Sequence, residues 1–461
     1  EGPSSPVDIL QSRANKMEPW VKVSLLLCGF GILKEFRPSE PYIIQYLITP
    51  PMNFTEQQVN QDIFPVSTYS HMLSLIVVFL ITDYLRYKVI IIIDALCGVI
   101  VYLLLIFGRT VFLMQVLEVF YGLFMAGEVA YYTYIYAKVD KEHFQAVTSF
   151  TRSAYLAGRA ICGLVAQIIV TFNIATYMGL QWLTLGGLSL ALFWAIFLPK
   201  VERSIYFHRD KGDLQPTLKT PISNGFRGKT KNSEESSTEE IDSKSSAINY
   251  IWTDLTSAFT NLYVVKWAFW WALATCGNYM VISYVQLLWQ AIRVDTNSSE
   301  TQYNGLVETV YTLLGAVASM LMGRLKVDWR SKGEAVLTMC SIGLGIALFV
   351  MSQTYSMAVA YVLFIVFTIV YQIMMTVANF EVAKNINDDS YGLIFGVTTF
   401  IALVIQSVFM FVLNTKLALP ARMLFTVYGC YFSILGIVFL FAILARLLHK
   451  VFRSNNNRYN F

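Results

Sequence analysis

The segment SNGFRGKTKNSEESSTEEIDSKSS (Ser223–Ser246) interrupts a chain that is otherwise strongly apolar. It is charged, serine-rich and nearly free of aromatic residues, so it has too little apolar surface to offset the entropy of ordering. It reads as a disordered linker within a polar region, 199–260, that divides the chain in two. Hydrophobic residues make up 56% of the 461, charged residues 14% and aromatic residues 15%. The mean hydropathy is +0.54. A soluble chain of this length would carry far more polar surface.

A transmembrane helix needs about 20 mostly apolar residues. Runs of that kind are expected at 20–48, 64–85, 88–107, 111–138, 143–173 and 177–198. Six more follow the linker, at 261–291, 304–325, 333–353, 355–385, 391–415 and 421–448. The expected division is a tail at 1–19, a six-helix half at 20–198, the linker at 199–260, a second half at 261–448 and a tail at 449–461. Two six-helix halves around a polar linker form the layout of the major facilitator superfamily, an all-α membrane fold with 3+3 inverted repeats in each half. The loops Thr82–Lys88 (TDYLRYK) and Gly323–Lys332 (GRLKVDWRSK) fall at equivalent places in the halves. Both pair an Asp with basic residues. They read either as gating loops, with Asp83 and Arg86 in the first, or as simple positive-inside bias.

Orientation follows from the basic residues. With the N-terminus cytoplasmic, the outer segments hold only Arg109, Arg293, Lys416 and Arg422, and the remaining loop and tail bases fall inside. Two glycosylation sequons, Asn53-Phe-Thr and Asn297-Ser-Ser, then lie outside, as glycosylation requires. A multi-pass plasma-membrane protein with both termini cytoplasmic is the expectation. The six cysteines all sit in apolar segments without a CxxC pair, and the four histidines show no metal spacing. They are expected to be buried thiols and non-ligating imidazoles. No cofactor and no nucleic-acid partner are expected. No GxxxxGK[ST] P-loop and no room for a catalytic domain point away from an ATP-driven pump or an enzyme.

Ionisable residues at membrane depth are expensive and usually face a cavity or a partner. The first run contains KEFRPSEPYIIQYL, in which Pro38 and Pro41 break helical hydrogen bonding. A broken helix survives there only where it lines protein or water. Glu40 therefore either faces a central cavity or pairs with Arg37 to hold the kink. In the fourth run Glu118, Tyr121, Met125, Glu128 and Tyr132 fall within about 80° on one continuous helix. That face either binds substrate or is satisfied by Arg152 or Arg159 of the fifth run. Glu308, Gln406, Tyr279, Ser283 and Tyr284 polarise the second half. A cavity with more acid than base and many ring faces suits a cation with a flat ring.

The motifs FRPSEPYIIQYL, NFTEQQVNQDIFPVSTYS, EVAYYTYIY, WWALATCGNYMVISYVQLLW and LIFGVTTFIALVIQSV, in this order, resemble solute carrier family 19. That family holds the reduced folate carrier and the thiamine transporters. The resemblance runs from about Val21 to Leu440 and omits the linker. It implies a carrier working by alternating access. The folate branch carries Arg at the position of Glu128, Lys at that of Gln406 and Arg at that of Thr368, whereas the thiamine branch has Glu and Gln at the first two. The thiamine-type contacts map onto Glu40, Phe64, Glu118, Tyr121 and Glu128, with Gln406 nearby. Ser67 replaces a Trp of that branch, Ser283 an Asn and Arg159 a Tyr. Arg159 stands out, because it either neutralises Glu128 or favours an anionic group such as a phosphate. Thiamine uptake is the leading expectation. A folate or organic-anion carrier (thiamine phosphate included), a carrier of other organic cations and a non-transporting receptor stay open, as does the oligomeric state.

Glycosidase treatment of the protein from its native membrane is expected to increase its gel mobility. The Asn53→Gln, Asn297→Gln double variant should show no such shift. Insensitivity of the native protein would remove the sequons as support for the topology.

Overall fold

A computed structural model describes residues 18–201 and 252–458, apart from 86, 140–142, 254, 298–300, 325–328 and 387–390. Most of the linker, much of both tails and Arg86 lie outside the described residues, as does the side chain of Asp83. Among the described residues the chain is helical without strands. The first half comprises α1 (Pro19–Glu35), α2 (Ile43–Ile48), α3 (Phe64–Tyr84), α4 (Lys88–Phe107), α5 (Val111–Ala126), α6 (Glu128–Lys138), α7 (Phe144–Thr171) and α8 (Tyr177–Ile196). The second comprises α9 (Leu262–Asp295), α10 (Asn304–Arg324), α11 (Trp329–Gln353), α12 (Met357–Ala383), α13 (Tyr391–Met410) and α14 (Ala421–Arg458). With α1 and α2 as one interrupted span and α5 and α6 as another, these are the twelve expected spans. The last helix runs to Arg458, past the expected boundary at 448.

Helix starts follow local chemistry. Pro19 and Pro65 occupy first-turn positions, where the missing N–H costs nothing. Thr110, Thr176 and Asn261 accept backbone N–H groups as caps of α5, α8 and α9. Among the described residues nine helices, counting α5 and α6 together, are long and apolar enough to cross a membrane on composition alone.

The halves are built alike. In the first, α1 packs on α7, α3 on α5, and α4 on both α5 and α8. In the second, α9 packs on α13, α10 on α12, and α11 on both α12 and α14. The two halves meet where α3 packs on α13 and α7 on α10. Outward faces are apolar, with Phe172 and Met339 both 73% exposed, as a lipid-facing surface demands. This surface also corrects the expectation for the thiols. Cys97, Cys162 and Cys276 are buried, Cys28 and Cys340 are half-buried, and Cys430 is exposed on α14, where lipid replaces protein packing.

Contact between α7 and α10 is backbone on backbone. A Cβ at Gly163 would lie 2.6 Å from the Gly305 carbonyl oxygen, and one at Gly305 would lie 2.5 Å from that of Gly163. Thr309 Oγ1 donates to the Ala160 carbonyl oxygen at 3.2 Å beside them. Overpacking of this kind costs about 1–3 kcal/mol. Gly163→Leu is expected to lower the melting temperature of the purified protein by several degrees, and an unchanged temperature would contradict this contact.

Candidate substrate cavity

The first span is broken, as Pro38 and Pro41 require. Helix α1 stops at Glu35, and a single tight turn, Glu40–Tyr42, leads into α2. The interruption leaves backbone groups without helical partners. Other elements supply them. Ser39 N donates to Thr184 Oγ1 of α8 at 3.1 Å. Gln286 Nε2 of α9 donates to the Glu40 carbonyl oxygen at 2.8 Å, and Asn304 Nδ2 of α10 donates to that of Pro41 at 2.9 Å. Arg37 lies buried under the break and binds two carboxylates, Glu35 at 2.9 Å and Glu40 at 2.6 Å. Both readings of Glu40 thus hold, since it pairs with Arg37 and also lines the cavity.

That cavity, of about 220 Å³, lies between the halves. Its charged lining is Glu40 and Glu118 from the first half, Glu308 from the second, and Arg159. Ring faces come from Phe64, Tyr102, Tyr121, Trp289, Tyr311 and Phe364. Ser67 and Ser283, smaller than the thiamine-type residues expected there, also line it. Glu118 is 8% exposed and has no ion-pair partner among the described residues.

Above the cavity, on the face bearing Asn53 and Asn297, the halves are tied together. Tyr42 reaches the Gln302 carbonyl oxygen, and Gln45 hydrogen-bonds Gln290. Two π-helical turns, Gln58–Ile63 and Phe411–Lys416, meet where Asn414 Nδ2 donates to Asn60 Oδ1 at 2.6 Å. Asn53 and Asn297 themselves are exposed at turns with positive φ.

Several sequence-derived expectations are corrected. The fourth span is divided at Gly127 into α5 and α6, and a Cβ at Gly127 would lie 2.5 Å from the Asp94 carboxylate of α4. Glu118 and Tyr121 of α5 line the cavity, whereas Glu128 and Tyr132 of α6 stand beyond its lining, toward the linker side. Arg159 does not neutralise Glu128. Its Nε donates to Glu308 Oε1 of α10 at 2.8 Å, and its terminal nitrogens reach the hydroxyls of Tyr155 and Tyr311 at 3.3 and 3.2 Å. Arg152 lies over the Tyr155 ring, 5.6 Å from its centroid, and forms no ion pair with Glu128. Tyr284, fully buried, packs edge-on against Phe64, and Tyr279 packs beside His71. Gln406, also buried, donates to Thr68 at 3.4 Å. These three support the site from outside its lining.

Sequence reasoning missed Asp94, whose side chain is fully buried and binds Lys34 at 2.6 Å. A lone Asp in KVIIIIDALCGV carried the same signal of intramembrane charge as Glu128. It also missed Gln286 and Trp289, although they follow Ser283 at three-residue steps on α9 and therefore share its face.

Comparisons with known proteins agree with this geometry. The family profile described as reduced folate carrier matches residues 18–427. Human thiamine transporter 1 is 35% identical over 94% of this chain and 91% of its own length. Human thiamine transporter 2 is 36% identical over 93% and 91%. Folate-like transporter 2 of Caenorhabditis elegans is 34% identical over 96% and 100%. Among solved structures, a POT family transporter bound to a peptide conjugate superimposes with a TM-score of 0.60 at 13% identity, covering 90% of this chain and 94% of that one. The inward-open xylose transporter XylE from E. coli gives 0.59 at 11% identity, covering 91% and 95%. These likenesses establish the major facilitator fold.

A double-mutant cycle on the melting temperature tests the rearranged ion pair. Arg159 and Glu308 are expected to couple by about 1 kcal/mol or more, and Arg159 and Glu128 by close to zero. The reverse pattern would restore the Arg159–Glu128 pair.

Proposed function

The chain belongs to the reduced folate carrier family, and from that premise we propose that it carries thiamine into the cell across the plasma membrane by alternating access. It is a multi-pass membrane transporter and not an enzyme, as its relatives are. The observation that carries the substrate assignment is charge. Three carboxylates face the cavity against one guanidinium, and Glu118 is left without a counter-charge among the described residues. A buried, uncompensated carboxylate is unfavourable, and a cationic ligand would supply what is missing. Phe64 and Tyr121, which line the same cavity, offer ring faces for a cation or a flat heterocycle.

Size supports the same choice. The cavity's 220 Å³ is below the usual range of about 300–1,000 Å³ for ligand sites. It suits a two-ring vitamin better than a folate with its pteridine, benzoyl and glutamate parts in line. Relatives named thiamine transporters lie at 34–37% identity. Glu128, Tyr132 and Tyr279 then flank the exit path on the linker side, which faces the cytoplasm together with both termini.

One observation favours a second reading. Arg159 is 24% exposed at its side chain and faces the cavity, so it offers an anion partner for a folate or a thiamine phosphate. Relatives named folate-like transporter 2 and folate transporter 1 are each 34% identical. Other organic cations would meet the same acidic cavity.

Uptake of labelled thiamine, thiamine monophosphate and folate, measured side by side in cells, separates these readings. Saturable thiamine uptake that excess folate does not inhibit is expected, and the reverse would overturn the assignment. Removing one charged hydrogen bond costs about 1.5–3 kcal/mol, so Glu118→Gln should weaken thiamine affinity about ten- to hundredfold. Glu128→Gln should weaken it much less. Equal effects would place Glu128 in the site.

A further inference from the structure

Among the described lining residues Arg159 is the one base in an acidic cavity, and it spends its charge across the gap between the halves. Its guanidinium comes from α7, and the carboxylate it holds, Glu308, comes from α10. Of the three lining carboxylates, Glu40 and Glu118 belong to the first half and only Glu308 to the second. A cation seated between Glu118 and Glu308 would link the halves in the same sense as Arg159 does. Glu40 is already neutralised by Arg37 from its own half and makes no such link.

Resting on the reading of a cationic substrate, we infer that Arg159 is a tethered stand-in for that cation. In the empty carrier it neutralises Glu308 and lets the halves close without cargo. When a cation enters, it takes over Glu308. The guanidinium keeps its hydrogen bonds to Tyr155 and Tyr311, so leaving Glu308 does not strand it. The arrangement matters because each uncompensated carboxylate adds to the cost of closing a water-filled cavity, and the stand-in leaves one, Glu118, in place of two. With the stand-in, both the loaded and the empty carrier close, and the protein completes net uptake. Without it, only the loaded carrier closes, and transport becomes exchange. Arg159 is therefore a positioning residue for the transport cycle, and its effect falls on the return of the empty carrier.

The test compares two fluxes through the purified full chain in proteoliposomes. Labelled thiamine enters either empty vesicles (net uptake) or vesicles preloaded with unlabelled thiamine (exchange). Arg159→Gln is expected to raise the ratio of exchange to net uptake about tenfold, equivalent to about 1.4 kcal/mol on the empty step alone. Arg159→Lys, which keeps the charge, should hold the wild-type ratio. If the Arg159→Gln protein does not purify, Arg159→Met removes the same charge and should raise the ratio likewise. An unchanged ratio in either neutral variant, or the same shift in Arg159→Lys, would overturn the inference. Wild-type protein that carries thiamine in neither mode would overturn the substrate assignment instead, and this inference with it.

Discussion

The break in the first span is the constraint on which the rest of the structure depends. A helix interrupted at membrane depth must hand its freed backbone groups to other protein groups, because lipid accepts none of them. Here Thr184 serves Ser39 within the same half, but Gln286 and Asn304 of the other half serve Glu40 and Pro41. The closed outer face is thus more than apolar packing. It is the arrangement in which the broken segment is satisfied. The proline-broken span therefore forms a contact between the halves, and it carries Glu40 to the cavity wall at the same place.

The proposed selectivity rests on where the charges are left over. Most of the intramembrane charge is already paired. Lys34 holds Asp94, Arg37 holds Glu35 and Glu40, and Arg159 holds Glu308. Glu118 stands apart from these pairs, beside two aromatic faces in a small cavity. In the proposed function, one uncompensated carboxylate among the described lining residues of the cavity is a sharper selector than a diffuse acidic field, because a single ligand charge balances it. Arg159 does not cancel this preference, since its own charge is spent on Glu308.

The fold was legible because span length and apolarity are local properties. The expected run at 88–107 is α4, and 177–198 contains α8 almost to its end. The proline pair likewise announced the break in the first span. What stayed hidden depended on contacts distant in sequence. Helical spacing placed Glu118 and Glu128 on one face, and nothing within the fourth span shows that Asp94 of α4 packs against Gly127. Spacing also made Glu128, one span away, the natural partner for Arg159. The actual partner, Glu308, is 149 residues along the chain and in the other half. Glu308 was visible as an intramembrane carboxylate, but its pairing is a property of how the halves meet. Glu40, Phe64, Glu118, Tyr121, Arg159 and Ser283 do converge on one cavity.

The central claim is that the empty cavity recognises a ring-bearing cation and not a dianion. Ligand-dependent melting of the purified protein tests it most directly, since a ligand that binds only the folded state raises its stability in proportion to the logarithm of its concentration. Thiamine is expected to raise the melting temperature in a saturable, concentration-dependent way, with folate at the same concentrations leaving it unchanged. A rise with folate and none with thiamine would contradict the account.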